Sequence, residues 1–258
     1  MIYNVHAGHN KDGKVACGAV GLIKESTEAR KVAQEVISLL KKDGHTVYDC
    51  TVNNGISQGD ILYKIIKKNN SHKADLDISI HFNSGRNDKR GDGSTGGTEV
   101  LVYNSSSKAM DEAERICKNI SSLGLRNRGI KTRSDLYFLK KSKNPALLVE
   151  CCFVDDADDI KAYNYKTMAK AIVEGILGKK ISSSSATTTT SSARKAPFKV
   201  KVITKELNIR KGAGTENKVV GKITDKGTYT IVEVKGSWGK LASCVGWINI
   251  STKYVKYI

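Results

Sequence analysis

No stretch of this chain reaches the ~18 consecutive apolar residues that a membrane-spanning helix requires. The opening residues, Met1-Ile2-Tyr3-Asn4-Val5-His6, carry no charged n-region, no apolar h-region and no cleavage site. Membrane insertion and signal-peptide export are therefore not expected. The six cysteines, at 17, 50, 117, 151, 152 and 244, include no Cys-x-x-Cys pair and no regularly spaced framework. They read as reduced thiols in a protein made in the cytosol. Acidic side chains are scarce at one end: residues 179–258 hold 4 of them against 16 Lys and Arg, whereas 1–178 hold 22 against 27.

The 258 residues, 39% of them hydrophobic, suit two modest domains better than one. The net charge of +17 sits mostly in the last 80 residues, too few for a large core and enough for a small all-β module. Such an imbalance points to an anionic partner. Between the halves, residues 182–192 are all Ser and Thr apart from Ala186, with Lys179-Lys180 before them and Arg194-Lys195 after. A segment so poor in apolar side chains cannot pack a core and reads as a tether. The expected division is a domain at 1–178, a Ser/Thr-rich linker at 179–196 and a second domain at 197–258.

In the first half, strand-like runs at 2–5, 46–50, 76–82, 98–103, 137–139 and 146–153 alternate with helical spacing. Ala29, Val32, Ala33, Val36, Ile37 and Leu40 form one apolar stripe that stops at Asp43-Gly44. Others run through Leu62, Ile65 and Ile66, through Ala109, Ala113, Ile116, Ile120 and Leu123, and through Met168, Ile172, Val173 and Ile176. This alternation predicts an α/β domain with a twisted, mostly parallel sheet flanked by helices. Active sites in such sheets lie at the carboxyl ends of the strands.

Several polar residues fall at those ends. His6 and His9 follow the first strand in His6-Ala7-Gly8-His9-Asn10. In Leu76-Asp77-Ile78-Ser79-Ile80-His81-Phe82-Asn83, alternation puts the apolar residues on one face and Asp77, Ser79, His81 and Asn83 on the other. Glu150 lies near the end of the most apolar run, 145–153, where a carboxylate is costly unless paired, metal-bound or catalytic. Two imidazoles and one carboxylate with an open fourth position are the pattern of catalytic zinc. Glu25 and Glu28 both stand at the start of the first long helix, where its dipole favours a carboxylate, and spacing does not choose between them.

His6-Ala7-Gly8-His9, Lys24-Glu25-Ser26, Ser79-Ile80-His81-Phe82-Asn83, Leu136-Tyr137-Phe138-Leu139 and Pro145-Ala146-Leu147-Leu148-Val149-Glu150 together resemble the zinc-dependent N-acetylmuramoyl-L-alanine amidases over about 175 residues. The resemblance implies zinc (Zn2+) held by His9, Glu25 and His81, which settles Glu25 over Glu28, and Glu150 as the catalytic carboxylate. It also implies cleavage of the amide between N-acetylmuramic acid and the L-alanine of the peptidoglycan stem peptide. Three positions depart from the family pattern: His6 and Asn10 replace smaller or acidic residues, and Cys151-Cys152 replaces a small pair. His6 and Asn83 are candidates for touching substrate or product. The two cysteines point to opposite faces and read as small core residues.

Residues 198–258 read as a small β-barrel of short strands, at 199–204, 207–210, 219–223, 228–234, 238–241 and 247–250, punctuated by glycines. Leu207-Asn208-Ile209-Arg210-Lys211-Gly212, Gly236-Ser237-Trp238 and Gly246-Trp247-Ile248 resemble the bacterial Src-homology-3-like domains of wall hydrolases. That resemblance implies attachment to peptidoglycan or its anionic polymers, with Trp238 and Trp247 as candidates for stacking on sugars. The lysines are dispersed without interleaved aromatics, and no nucleic-acid-binding signature is present, so nucleic acid is not an expected partner. The reading is a phage endolysin, made in the host cytoplasm and released to the wall. The alternatives are a mother-cell lytic amidase of sporulation and a wall-binding protein without catalysis.

Overall fold

The computed structural model describes residues 1–181, 196–215 and 217–258. The chain divides into two compact units, Met1–Ser182 and Ser183–Ile258. Most of the expected Ser/Thr-rich linker, residues 182–195, lies outside the described residues.

The first unit alternates strands β1 (Ile2–Ala7), β2 (Thr46–Asp49), β3 (Leu76–Asn83), β4 (Thr98–Val102), β5 (Asn127–Thr132) and β6 (Ala146–Phe153) with helices α1 (Glu25–Lys42), α2 (Gln58–Asn69), α3 (Met110–Ser121), α4 (Tyr137–Lys141), α5 (Ala157–Ala162) and α6 (Tyr165–Leu177). The six strands form one sheet in the order β2-β1-β3-β6-β4-β5. Every pairing is parallel except β4 with β6, so the sheet is mixed and mostly parallel.

The stripes predicted for α1, α3 and α6 are buried against one face of this sheet, where they join Tyr3, Val5, Ile78, Ile80, Val100 and Val149. A fully buried Ile or Leu side chain contributes about 1.5–3 kcal/mol, so this layer supplies most of the unit's hydrophobic stabilisation. The opposite face carries a smaller cluster, including Ile61, Ile65, Leu101, Phe138 and Leu148, under α2 and α4. Its limited helical cover leaves the polar ends of β1, β3 and β6 accessible for chemistry. Among the described residues no helix is long and apolar enough to cross a membrane. All six cysteines are free thiols, and Cys151 and Cys152 are both buried in the core.

Two local expectations are corrected. Residues 137–139 form not a strand but part of helix α4, which buries Phe138 and Leu139. A three-residue apolar run has no period of its own, and here packing against α2 decides its conformation. Conversely, β5 was not foreseen: Asn127-Arg128-Gly129-Ile130-Lys131-Thr132 has a single large apolar residue, and as the edge strand it needs no more.

The second unit is all-β. Its strands β7 (Phe198–Val202), β8 (Leu207–Arg210), β9 (Val219–Ile223), β10 (Thr228–Lys235), β11 (Trp238–Leu241), β12 (Trp247–Asn249) and β13 (Val255–Tyr257) form a seven-stranded antiparallel sheet in the order β13-β7-β10-β11-β12-β8-β9. Val200, Val202, Ile231, Ile248 and Val255 lie at the centre of its core. The last strand was missed because Val255-Lys256-Tyr257 is too short to show alternation.

Candidate active site

The site is assembled where β1 and β3 end side by side and α1 begins. The Gly8 amide donates to the Ile80 carbonyl at 2.8 Å, after which the chain turns sharply through His9, whose φ is 63°. That left-handed conformation is costly for a residue with a Cβ. The surroundings hold it: Asn10, fully buried, donates through Nδ2 to the Gly55 carbonyl at 2.7 Å, and Arg30 Nη2 donates to the His9 carbonyl at 3.1 Å.

Glu25 is the first residue of α1 and is almost completely buried. Its Oε1 lies 3.0 Å from His81 Nδ1 and 3.3 Å from His9 Nε2, and it accepts from the Phe82 amide at 3.1 Å. Oε2 accepts from the Ala19 amide at 2.8 Å. Burial opposes the carboxylate's charge, but hydrogen bonds to His81 and His9 outweigh it and hold Glu25 well below the usual carboxylate range. His81 is pushed down by burial, which favours the neutral imidazole that a metal requires. One ligand atom from each of His9, Glu25 and His81 lies within 4.8 Å of the others, a group that could hold a metal ion. Glu28, the alternative that spacing left open, is occupied elsewhere: it accepts from Tyr163 Oη at 3.1 Å and pairs with Lys31 at 2.7 Å.

Two glycines make room for this group. A Cβ on Gly8 would stand 2.1 Å from the His81 ring, and one on Gly18 would stand 2.5 Å from Glu25 Oε2 and 2.9 Å from His9 Cδ2. Neither clash is tolerable, so these positions accept only glycine if the three side chains are to converge.

Glu150 faces the same region from β6. In the sheet register it is paired with His81 on one side and with Glu99 on the other. Its Oε2 is buried and has no hydrogen-bond partner among the described residues. Burial, then the charges of Glu25 and Glu99, push its carboxyl up to about 8, with Arg133 partly offsetting them.

Linkage gives this shift a measurable consequence. A carboxyl whose pKa rises from 4.5 in the unfolded chain to about 8 in the folded one binds its proton more tightly when folded. Stability is therefore fully present below the unfolded value and lost as pH rises toward the folded one. Histidines lowered by burial act in the opposite sense at about pH 6.5 and buried cysteines in the same sense toward alkaline pH, so the contribution of Glu150 is read as the difference between wild type and Glu150→Gln. At about pH 7.5 Glu150 should make the metal-free protein less stable as pH rises, by less than the roughly 1.4 kcal/mol per pH unit of a whole proton, and Glu150→Gln should remove that contribution. Denaturant titrations of chelator-treated wild type and variant check this; parallel declines would contradict it.

The other sequence candidates are placed differently. His6 is buried, its ring edge-on to Phe138 at 4.8 Å, with Asn69 Nδ2 at 3.5 Å from Nδ1. Burial and the neighbouring His81 lower it to about 3, so it is a neutral imidazole, and it lines a small cavity of about 40 Å³ together with His9 and His81. Asn83, at the end of β3, donates to Glu99 Oε1 at 2.9 Å. Trp238 and Trp247 belong to the second unit: Trp238 is half-buried and lines a cavity of about 320 Å³ with Asn208, Asn249 and Tyr254, whereas Trp247 is buried, with Lys235 Nζ 5.4 Å from its ring centre. Sequence reasoning missed Glu99 and its partner Arg128, whose Nε donates to Glu99 Oε2 at 2.9 Å. The available signal was the one that found Glu150, a carboxylate inside an apolar strand.

Comparison with known proteins bears on this geometry. The family model for N-acetylmuramoyl-L-alanine amidase matches residues 4–178. The chain belongs to this amidase family. The amidase unit is similar to the solved catalytic domain of an endolysin targeting Clostridia difficile, at 28% identity and a TM-score of 0.62 over 70% of this chain and 99% of that one. It is also similar to the catalytic domain of an N-acetylmuramoyl-L-alanine amidase from Bacillus (Paenibacillus) polymyxa, at 26% identity and a TM-score of 0.55 over 69% and 96% of the two chains. Among curated relatives, an uncharacterized protein of Clostridium perfringens is 36% identical over 209 residues, 79% of this chain and 59% of its own. The endolysin of Bacillus phage SPP1 is 28% identical over 179 residues, 66% of this chain and 60% of its own. This chain thus spans little more than half the length of these two relatives.

Proposed function

We propose that this amidase is a zinc enzyme of bacterial lysis, with His9, Glu25 and His81 as ligands and Glu150 as its acid-base residue. The convergence of two imidazoles and one carboxylate on a single point carries the reading. Tetrahedral zinc with bonds of about 2.1 Å needs donor atoms about 3.4 Å apart. The separations of 3.0 and 3.3 Å between Glu25 Oε1 and the two ring nitrogens fit that demand. So does the donor chemistry, with neutral histidine and ionised glutamate.

Zinc bound there would supply a Lewis acid that polarises an amide carbonyl and acidifies water. The chain's own residues do the rest. Glu150, raised toward neutrality, takes a proton from the attacking water at its Oε atoms and returns it to the departing alanine nitrogen. A carboxyl near pKa 8 favours the second transfer; the charge of a nearby cation would lower it and favour the first. Buried apolar neighbours on β6, Val149 and Cys151, keep solvent from the back of the carboxylate. The amide broken joins the lactyl group of N-acetylmuramic acid to L-alanine.

The names of two similar proteins, the endolysin of Bacillus phage SPP1 and the endolysin targeting Clostridia difficile, support an endolysin role. In this reading the second unit, which resembles a Src-homology-3-like domain and carries 12 Lys and Arg against 4 acidic residues over 197–258, holds the enzyme on the anionic wall. Trp238 is the better placed of the two tryptophans to stack on a sugar, since it reaches the cavity beside Asn208 and Asn249. Turbidity of a cell-wall suspension tests the proposal. Clearing should stop when a chelator is added and return with zinc; clearing that persists in the chelator, with the protein shown to be free of metal, would refute zinc dependence.

A further inference from the structure

Beyond Glu150 the sheet carries a groove of about 560 Å³, lined in part by Glu99, Leu101, Arg128, Lys131 and Arg133. Register puts it on the site's side of the sheet. Glu99 is paired with Glu150 across β4 and β6, and Leu101 with Lys131 across β4 and β5. Residues paired across strands, and residues two apart along one, share a face. Glu150, Glu99, Leu101 and Lys131 therefore rise from the same surface.

Arg128 is the organised element of this groove. Its Nε donates to Glu99 Oε2 at 2.9 Å, and the other oxygen of Glu99 accepts from Asn83 Nδ2 at 2.9 Å. The guanidinium carbon sits 5.1 Å from the centre of the Phe153 ring. Held at one nitrogen and over one face, the group is half-buried and oriented. Nη1 and Nη2 make no hydrogen bond among the described residues. Arg133, by contrast, is taken up by both oxygens of Asp135 at 2.8 Å. Lys131 has no ion-pair partner among the described residues and adds positive charge to the groove. An arginine fixed at Nε with both Nη groups open matches a carboxylate in a two-bond, planar fit.

We propose that Arg128 binds a carboxylate on the residue that follows the scissile-bond alanine, in the peptide leaving group, and so sets the substrate's charge preference. The proposal rests on the amidase reading above. Two strand spacings separate β5 from β6, about 10 Å, the span of two to three extended residues. An alanine at Glu150 thus puts the next residue's carboxylate within reach of the fork. Glu99 has a part in this: it orients Arg128 and keeps the guanidinium from folding back onto Glu150.

The test compares two synthetic substrates, N-acetylmuramoyl-L-alanyl-glutamate and the same compound with both glutamate carboxylates converted to carboxamides, using the full zinc-loaded chain. The wild type should favour the acid by about tenfold or more in kcat/KM, the range expected of a charge-assisted hydrogen-bond pair. Added salt should compress that ratio. In Arg128→Gln the ratio should fall to within about twofold of unity, and Arg128→Lys should keep part of it. Because each ratio is taken within one variant, any change in Glu150 caused by losing the partner of Glu99 cancels. Equal hydrolysis of both compounds by the wild type, or an unchanged ratio in Arg128→Gln, would overturn the role of Arg128 and leave the amidase standing. Hydrolysis of neither would overturn the amidase reading itself, and if Arg128→Gln fails to fold, the ratio in Arg128→Lys is read instead, where a value unchanged from wild type overturns the role of Arg128.

Discussion

Glu150→Gln should lower wall hydrolysis at least ~10²-fold while the protein still binds zinc, because the substitution removes the proposed proton carrier and none of the three proposed ligands. The amide nitrogen of a stem peptide is a poor leaving group until it is protonated, and no other carboxyl in the region suits the task. Glu25 is held ionised by two histidines, and Glu99 is tied to Asn83 and Arg128. Glutamine is nearly isosteric with glutamate, so the packing of Leu148, Val149 and Cys151 should survive, and relief of a buried charge should leave the variant no less stable at alkaline pH. Rates of turbidity loss at matched zinc content measure the effect. Near-normal activity in the zinc-loaded variant would remove Glu150 from the mechanism.

His81→Ala should release the metal. The loss of one of three protein ligands exceeds the 10–100-fold in affinity that even an outer hydrogen-bonding partner of a metal site is worth. A zinc affinity more than ~10²-fold weaker is therefore expected, and dialysed protein should retain little metal. The substitution also leaves Glu25 buried with His9 as its only imidazole partner, a cost of 1–3 kcal/mol or more for an under-paired charge. Metal content by atomic absorption, with far-ultraviolet circular dichroism to confirm folding, separates the two effects. Zinc content equal to that of the wild type in a folded variant would exclude His81 as a ligand.

The parts of the fold legible in the sequence are those where burial imposes a period. The stripe from Ala29 to Leu40 and the alternation through Leu76, Ile78, Ile80 and Phe82 reappear as α1 and β3 because each packs one face against a continuous core. Periodicity was silent where an element is short or half-exposed. Phe138 and Leu139 gain helical form from the layer they cover, and edge strand β5 from hydrogen bonds to β4 that its polar residues do not announce. In the candidate site, His9, His81 and Glu150 could be singled out because polar groups at strand ends in apolar surroundings need a reason. Glu25 could not be separated from Glu28 without a family resemblance, since both stand in the first turn of one helix and only tertiary contact shows which side chain meets the histidines. His6 was singled out in the same way from its place beside Gly8 and His9; register sets it on the face of Ser79 and His81, buried against Phe138. The link from Asn83 through Glu99 to Arg128 depends on register across four strands, β3, β6, β4 and β5, which no reading of a single segment contains.

The bond that is cut is the central claim, and the chemistry of the newly formed ends tests it most directly. Purified peptidoglycan digested by the zinc-loaded protein should gain L-alanine residues with free α-amino groups, detected by amino-terminal labelling, with no matching rise in reducing sugars. New reducing ends without free alanine amines, or amines belonging to any residue other than alanine, would contradict it.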